Sequence, residues 1–253
     1  MIANLVPDEL WDRIAPLMLA RPVRQYRRPG RLPVLDRAAL ASVVYVLCKG
    51  VAWRDVPASV VGCSGVTAWR RLRDWTETGL WPRLQATLLT ELRRADLLDL
   101  GDCAVDGSHV RALKGGITSA PRPSIVPGPV PKHHLIVDRH GSPLAVTLTG
   151  GNRHGVTQLL PLLDAVPPIR GLRGRSRHRP RCLCAGRGYD FDKCPRQLWK
   201  RGIKPMIARR GIARGSGLGK VRWVVERAFA WLHQGLLELT CSIICLRRLS
   251  RSF

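Results

Sequence analysis

The spacing of apolar residues changes near residue 98, and this change limits the chain to a helical part followed by a sheet-containing part. Before the change, apolar residues recur every three or four positions, as they do on the buried face of a helix. After it, they form short runs near 103–106, 134–138, 143–148 and 181–185, the length of buried strands. The pattern predicts an α+β or α/β protein, with a helical domain at 1–98 and a mixed sheet with flanking helices at 99–253.

The charge of the chain indicates the kind of partner. Lysine and arginine number 42 against 18 acidic residues, which gives a net charge of +24. Such a surplus repels itself unless it meets a polyanion, and contact with phosphates releases counterions. We therefore predict a nucleic-acid partner and no small-molecule substrate. A general RNA-binding or ribosomal protein is the alternative, although only three Tyr and three Phe are present for the stacking that reads RNA bases.

The sequence contains neither a predicted membrane helix nor a signal-peptide pattern, and this predicts the location of the protein. No apolar run reaches the roughly 18 residues that a membrane helix needs, and charged residues interrupt the N-terminal segment where a signal peptide would lie. The eight cysteines form no Cys-x-x-Cys pair. We predict buried, reduced thiols in a cytoplasmic protein with no membrane partner, and a zinc site is the alternative.

A helix capped by Ser64 is the candidate DNA-reading element of the helical part. Its spacing predicts that Val66, Trp69 and Leu72 point inward. The residues predicted to face outward and contact DNA are Thr67, Arg70, Arg71 and Arg73. Helix-turn-helix modules address DNA with such short, polar-faced helices. A plain helical bundle with solvated arginines is the alternative.

Two acidic residues stand where carboxylates could converge on one site. Asp106 closes an apolar run and opens the segment Asp-Gly-Ser-His-Val-Arg. Glu226 lies off the continuous apolar stripe of a second helix, formed by Val221, Val224, Val225, Ala228, Phe229 and Leu232. Carboxylates that converge from different elements can hold divalent metals, because hard cations prefer carboxylate oxygen. Taken alone, Asp106 could instead cap a turn, and Glu226 could pair with Arg222 on the helix surface.

These two segments, together with Leu-Cys-Ala-Gly-Arg-Gly-Tyr-Asp at 183–190, resemble the DDE transposases of bacterial insertion sequences, in the insertion sequence five group. The resemblance also covers 53–57, 132–135, 148–154 and 219–223. It implies a ribonuclease-H-like fold, in which antiparallel strands near 103–106, 133–138 and 143–149 are followed by 181–185 beside the first strand.

The same resemblance implies DNA transposition. Asp106 and Glu226 would be catalytic and would hold Mg²⁺ or Mn²⁺. The partner would be double-stranded DNA, both the element's ends and the target, bound by a homo-oligomer. The predicted DNA contacts outside the helical part are Lys114, Lys132, His133, Arg153, Arg187, Arg222 and Arg227.

The chain departs from the pattern of this family at three places. Gly186 stands where the family has its middle acid, and Asp190 is only a weak substitute for it. Gly155 stands where Asn-Arg-His is usually followed by Asp, and the chain is shorter than the family after about residue 234. We therefore predict a catalytically impaired transposase that still binds terminal repeats. The alternative is a non-catalytic, sequence-specific DNA-binding protein that competes with an intact transposase.

Overall fold

The computed structural model describes residues 5–18, 33–109, 131–211, 223–226, 228 and 237–250. The chain divides into two compact units, Met1–Thr87 with Gln234–Ser242 and Leu88–His233 with Ile243–Phe253. The predicted boundary after residue 98 lies within the second unit. Among the helices in the described ranges, none combines the length and the apolar content needed to span a membrane.

The first unit is helical, as the apolar spacing predicts. It contains α1 (Asp8–Ile14), α2 (Asp36–Lys49), α3 (Ala58–Val61) and α4 (Gly65–Glu77), and α5 (Leu80–Arg94) begins in it. α2 ends at Gly50, whose φ of 63° is left-handed backbone that glycine adopts without steric cost. The Ser64 side chain accepts a hydrogen bond from the Thr67 N–H at 3.4 Å, which confirms the predicted N-cap of α4.

The buried face of α4 differs from the prediction. Val66 and Trp69 are 57% and 47% exposed rather than inward, and the buried residues are Gly65, Ala68, Leu72 and Trp75. The helix start approaches the backbone of Trp53 so closely that a Cβ at Gly65 would overlap the Trp53 carbonyl oxygen. Only glycine permits this approach. The contact fixes the rotation of α4, so that its small residues turn inward in place of Val66 and Trp69.

The second unit is built on a five-stranded sheet in the order β3-β2-β1-β4-β5. Its strands are β1 (Asp102–His109), β2 (Pro131–Val137), β3 (Pro143–Gly150), β4 (Cys182–Ala185) and β5 (Lys204–Ile207). β2 pairs antiparallel with both β1 and β3, whereas β4 runs parallel to β1 and β5 parallel to β4. This order and these directions are those of a ribonuclease-H-like sheet, so the predicted fold class is confirmed.

The turn between β2 and β3 is organised by the buried carboxylate of Asp138. Its Oδ1 accepts hydrogen bonds from the N–H groups of His140 at 3.0 Å and Ser142 at 2.6 Å, and Gly141 has a φ of 89°. Burial raises the pKa of Asp138, and the hydrogen bonds from the backbone N–H groups of Ser142 and Asp99 act in the opposite direction. The predicted hairpin is therefore confirmed, with a buried acid holding its turn.

Helices flank the sheet. α6 (Leu159–Asp164) packs against β2 and β3, and α7 (Lys193–Lys200) packs against β5. α8 (Leu237–Ser250) gives its residues 243–250 to this unit. None of the eight cysteines, all at described positions, is in a disulfide, and all except Cys48 are buried. Burial raises the pKa of the Cys245 thiol to about 12. The prediction of buried thiols outside disulfides is therefore confirmed for seven of the eight cysteines.

Candidate active site

Asp106 lies where β1 leaves the core. The three residues before it, 103–105, are buried, whereas Asp106 is partly exposed. Its Oδ1 accepts a hydrogen bond from the N–H of Gly107 at 2.8 Å. β1 is the central strand of the sheet, with antiparallel β2 on one side and parallel β4 on the other. Asp106 is the fifth of the eight residues of β1 and lies one residue beyond its last pair with β4, at the level where α/β proteins place their sites beyond the carboxyl ends of parallel strands.

Gly186 follows the last residue of β4, the strand next to β1. The parallel register pairs Val105 with Ala185, so Asp106 within β1 and Gly186 just after β4 each follow this pair by one residue. Neighbouring strands lie about 4.8 Å apart, and in-register residues of parallel strands face the same side. Gly186 is buried and extended, with φ −75° and ψ 174°, a backbone conformation open to any residue. A carboxylate at position 186 would therefore lie beside that of Asp106.

Glu226 lies in a helical segment of the same unit. Within this segment Val224, Val225 and Ala228 are buried, whereas Trp223 and Glu226 are exposed. These residues agree with the predicted apolar stripe and with the position of Glu226 outside it. The other predicted members of the stripe lie outside the described residues. So do the predicted DNA contacts Lys114, Arg222 and Arg227, and residues 229–236, where the predicted shortening after about residue 234 begins.

Lys132 on β2 lies close to Asp106. Burial lowers the pKa of Lys132, and the negative charge of Asp106 partly offsets that effect. The Nζ of Lys132 donates to the carbonyl oxygen of Arg153 at 3.5 Å, and Nε2 of His109 lies 3.1 Å from the carbonyl oxygen of Gly151. The turn after β3 is thereby held against the end of β1. We use the name β1/β4 edge for this end of the sheet, marked by Asp106, Lys132 and Gly186.

Gly107 permits a close packing that the sequence pattern does not reveal. A Cβ at this position would lie 3.0 Å from Cε of Lys132 and 3.1 Å from Nδ1 of His134. His134 is fully buried, and its Nε2 lies 2.8 Å from Oγ1 of Thr149. Burial, followed by the charges of Lys132, His133 and His109, lowers the pKa of His134 to about 4. The imidazole is therefore neutral near pH 7.

The remaining residues predicted at this edge have different surroundings. Arg153 and Arg187 are exposed, whereas His133 is only 6% exposed. Burial keeps the His133 imidazole away from the DNA contact that was predicted for it. Asp190 accepts a hydrogen bond at its Oδ2 from the N–H of Arg210 at 2.7 Å. This hydrogen bond connects the segment after β4 to the segment after β5. Asp190, the acid considered as a substitute at position 186, therefore has a structural role.

Gly155 and Tyr189 bring the segments after β3 and β4 together. A Cβ at Gly155 would lie 3.2 Å from the hydroxyl oxygen of the buried Tyr189. Gly155 and Gly186 are two of the three places where we predict a departure from the family pattern. Both are close to Tyr189, because Gly155 lies against its side chain and Gly186 precedes it by three residues.

In the first unit, α4 presents part of its predicted DNA face. Arg70 and Arg73 are exposed, and the guanidinium of Arg73 lies 5.7 Å from the centre of the Trp69 ring. Thr67 is half-buried and belongs to the N-cap of the helix. Arg71 differs from these residues, because its Nε lies 3.6 Å from Oδ1 of Asp36 on α2. The exposed stripe of α4 thus combines arginines with Trp69, an aromatic residue that the sequence pattern assigned to the core.

The donor atoms at this edge decide whether it can hold metal ions. Within the described ranges, no group of three or more His, Cys, Asp or Glu side chains is arranged to hold a metal ion. The β1/β4 edge offers Asp106, while Gly186 contributes no side-chain oxygen. The described donor set therefore does not fit a site for two divalent ions.

Comparisons with known proteins agree on one class. The family model described as "Transposase DDE domain" matches residues 101–252, and the model described as "Putative transposase of IS4/5 family" matches residues 6–85. The chain is 48% identical over 150 residues to the "Putative transposase for insertion sequence element IS402" of Burkholderia cepacia, which covers 53% of this chain and 71% of that protein.

The chain is also similar to a second insertion-element protein and to a solved transposase structure. The chain is 48% identical over 132 residues to the "Insertion element IS402 uncharacterized 16.2 kDa protein" of the same organism, covering 52% of this chain and 89% of that protein. Among solved structures it is similar to a pre-cleavage Mos1 transpososome, at 11% identity and a TM-score of 0.30, covering 95% of this chain and 86% of that one. At that score the likeness adds nothing to the strand order described above.

Proposed function

The chain belongs to the transposase DDE domain family, whose model matches residues 101–252, and from this premise we propose that it binds the terminal repeats of an insertion sequence without cutting them. DNA transposition is the function class of this family, and the family implies divalent-metal chemistry in general. One observation carries the proposal: a glycine occupies position 186, at the register position beside Asp106.

The loss of cleavage follows from the missing oxygen atoms. A pair of divalent ions at a phosphodiester needs carboxylates that converge from different elements. The proposed set in this chain is Asp106 and Glu226, and Gly186 adds no ligand. The loss of one member of a catalytic unit removes most of the rate rather than a fraction of it. Mg²⁺ or Mn²⁺, hard cations that prefer carboxylate oxygen, is proposed only for a site in which the middle acid is restored.

DNA binding is supported by the exposed face of α4 and by the charge of the chain. Thr67 and Arg70 lie in the first two turns of the capped helix α4, and Arg73 lies in its third turn. The N-terminal residues of a recognition helix are those that reach base edges in helix-turn-helix modules. Arg71 contributes less to this face because it is turned toward Asp36. Around the β1/β4 edge the proposed phosphate contacts are Lys132, Arg153 and Arg187. Lys114, Arg222 and Arg227 stay proposals from the sequence.

Binding to labelled duplexes tests this proposal. We expect the full chain to prefer a duplex with the terminal repeats that flank its gene over a scrambled duplex at the same salt concentration. Replacing Arg70 and Arg73 with alanine should weaken the preference for the terminal-repeat duplex, by about 1–3 kcal/mol for each arginine that reads a base edge. The matched control replaces Arg54 and Arg83, exposed arginines elsewhere in the first unit. Equal binding to both duplexes by the natural chain would refute the proposal.

A competing role is the second candidate function, favoured because the exposed α4 face coexists with a glycine at position 186. A chain that occupies the ends without cutting them would inhibit an intact relative. Adding the natural chain to a transposition assay of such a relative should reduce the product, and the variant lacking Arg70 and Arg73 should not. Undiminished product at a saturating amount of the chain would exclude this role. Sedimentation of the DNA complex would test the proposed homo-oligomer.

A further inference from the structure

A second basic surface lies at the opposite end of the sheet from Asp106. It is a groove of about 920 Å³ beside the segment 98–101, which precedes β1, and the loop 171–181, which precedes β4. We call it the arginine groove after its six lining arginines, Arg93, Arg94, Arg173, Arg177, Arg179 and Arg181.

The loop that carries most of these arginines is held in place. The backbones of Ile169 and Arg177 exchange two hydrogen bonds of 2.9 Å, and Gly174 turns the chain between them with a φ of 83°. The guanidinium of Arg93 donates to the carbonyl oxygen of Ile169 and lies so close to Gly171 that a Cβ there would be 3.1 Å from Arg93 Nε. The loop therefore presents its arginines from an ordered hairpin fastened to α5.

The charges of the groove are not balanced within it. Its two acids are Asp96 and Asp99. Asp99 is already engaged, because its Oδ1 accepts from the N–H of Gly101 at 2.6 Å and its Oδ2 lies 3.9 Å from Arg139. In the part of the chain that the structure describes, no carboxylate lies within 4.0 Å of the six groove arginines. The pKa of Arg93 is lowered by burial and then by the charge of Arg177, which shows that like charges are held together here.

The arginine groove lies far from Asp106, the candidate catalytic residue of β1. Asp106 follows Gly101 by five residues along β1, and at about 3.3 Å per residue this is a distance of about 16 Å. The rise of duplex DNA is about 3.4 Å per base pair, so the separation corresponds to about five base pairs. A phosphate in the groove is therefore not the phosphate beside Asp106.

We propose that the arginine groove binds the phosphate backbone of duplex DNA, independently of base sequence, about five base pairs or more from the phosphodiester beside Asp106. The planar guanidinium matches phosphate oxygens in pairs, and phosphate contacts position a protein without reading sequence. Six arginines spread over about 920 Å³ suit a run of phosphates better than one free ion. The inference rests on the proposed function, because it presumes DNA as the partner.

Salt-dependent binding of the full chain to a random-sequence duplex tests the inference. The groove variant replaces Arg173, Arg177 and Arg179 with alanine. The matched control removes the same charge from exposed positions on α7, by replacing Lys193, Arg196 and Lys200 with alanine. We expect the groove variant to lower the slope of log affinity against log salt by about 2–3, at about 0.9 per phosphate contact, and the control to lower it by less than about 1. Equal effects in both variants would overturn the inference.

Two further arms distinguish DNA phosphate contacts from altered packing and from the binding of a free anion. A variant with lysine at the three groove positions keeps the charge and should keep the slope. If the lysine variant lost the slope as well, the effect would come from altered packing and the inference would fail. Inorganic phosphate and chloride are also compared at equal ionic strength. Displacement of DNA by phosphate alone, with an unchanged slope in the groove variant, would assign the groove to a free anion and overturn the inference.

The same titrations separate this inference from the proposed function. The groove variant should lose affinity for terminal-repeat and scrambled duplexes by the same factor, so that any preference for the ends is retained. Absence of an end preference in the natural chain, together with the slope change in the groove variant, would refute the proposed function and leave the groove inference standing. The reverse result, an end preference without the slope change, would refute the groove inference alone.

Discussion

Replacing Gly186 with aspartate is predicted to create divalent-metal binding beside Asp106. The backbone at position 186 has φ −75° and ψ 174°, which aspartate adopts without strain. The register of β4 on β1 places the new side chain one residue beyond the Val105–Ala185 pair, about 4.8 Å from the neighbouring strand. Two carboxylates would then face the same side of the sheet at adjacent positions.

The size of the effect follows from that spacing. Two unit charges about 5 Å apart repel each other by about 3 kcal/mol at an effective dielectric constant of about 20. Because Asp106 is partly exposed, solvent screening reduces this to about 1–2 kcal/mol. Without metal, the aspartate variant should be less stable than the natural chain by that amount. Metal at about 100 times its dissociation constant restores about 2.7 kcal/mol. In a chain of this size that free energy corresponds to about 5–10 °C in the melting temperature.

Thermal melting with and without Mg²⁺ or Mn²⁺, followed by cleavage of terminal-repeat DNA, measures the prediction. The matched control is Gly186→Asn, which has nearly the same shape and no charge. We expect a metal-dependent rise in melting temperature for Gly186→Asp, and none of that size for the natural chain or for Gly186→Asn. No difference in metal response between the folded Asp and Asn variants would refute the assignment of position 186. A metal response without cleavage would direct attention to the region after about residue 234, which we predict to be shortened.

The remaining predictions concern packing and pH. Gly107→Ala should lower the free energy of unfolding by about 1–3 kcal/mol, because its Cβ would press on the buried His134; urea titration measures this, and Gly188→Ala, which meets nothing within 4 Å, should change it by less than about 0.5 kcal/mol. The pKa of His134 in the folded protein is lowered to about 4, below the value of about 6.5 that it has in the unfolded chain. The stability that neutral His134 contributes is therefore fully present above pH 6.5 and is lost as the pH falls toward 4. Between pH 7 and pH 5 the His134 contribution should fall by about 2 kcal/mol, and a pH dependence equally steep in His134→Gln would contradict it.

Local patterns predicted most of the secondary structure. Short apolar runs predicted β1 to β4, and these strands lie close to the expected ranges, because burial on a sheet selects such runs wherever they occur. Ser64 predicted the start of α4, since an N-cap acts within one turn of its own helix. The resemblance to one family then predicted the strand order and singled out Gly186. Each of these inferences depends on residues close together in the chain or on a pattern repeated in relatives.

Features set by contacts between distant segments could not be predicted in the same way. Three features depend on a partner from another strand or loop. They are the burial of His133, the close approach of Gly107 to His134, and the hydrogen bond from the Arg210 N–H to Asp190. No periodicity in the sequence encodes those partners.

The sequence by itself determined which segments are helices and strands, the surplus of positive charge, and the absence of an acid at position 186. Only the tertiary structure decided which face of α4 is buried, because the contact of Gly65 with the Trp53 backbone sets the rotation of the helix. Only the tertiary structure also gave the register that pairs Val105 with Ala185 and gathered the groove arginines at the other end of the sheet. Periodicity fixes the type of an element, whereas its rotation and neighbours are fixed by packing between segments far apart in the chain.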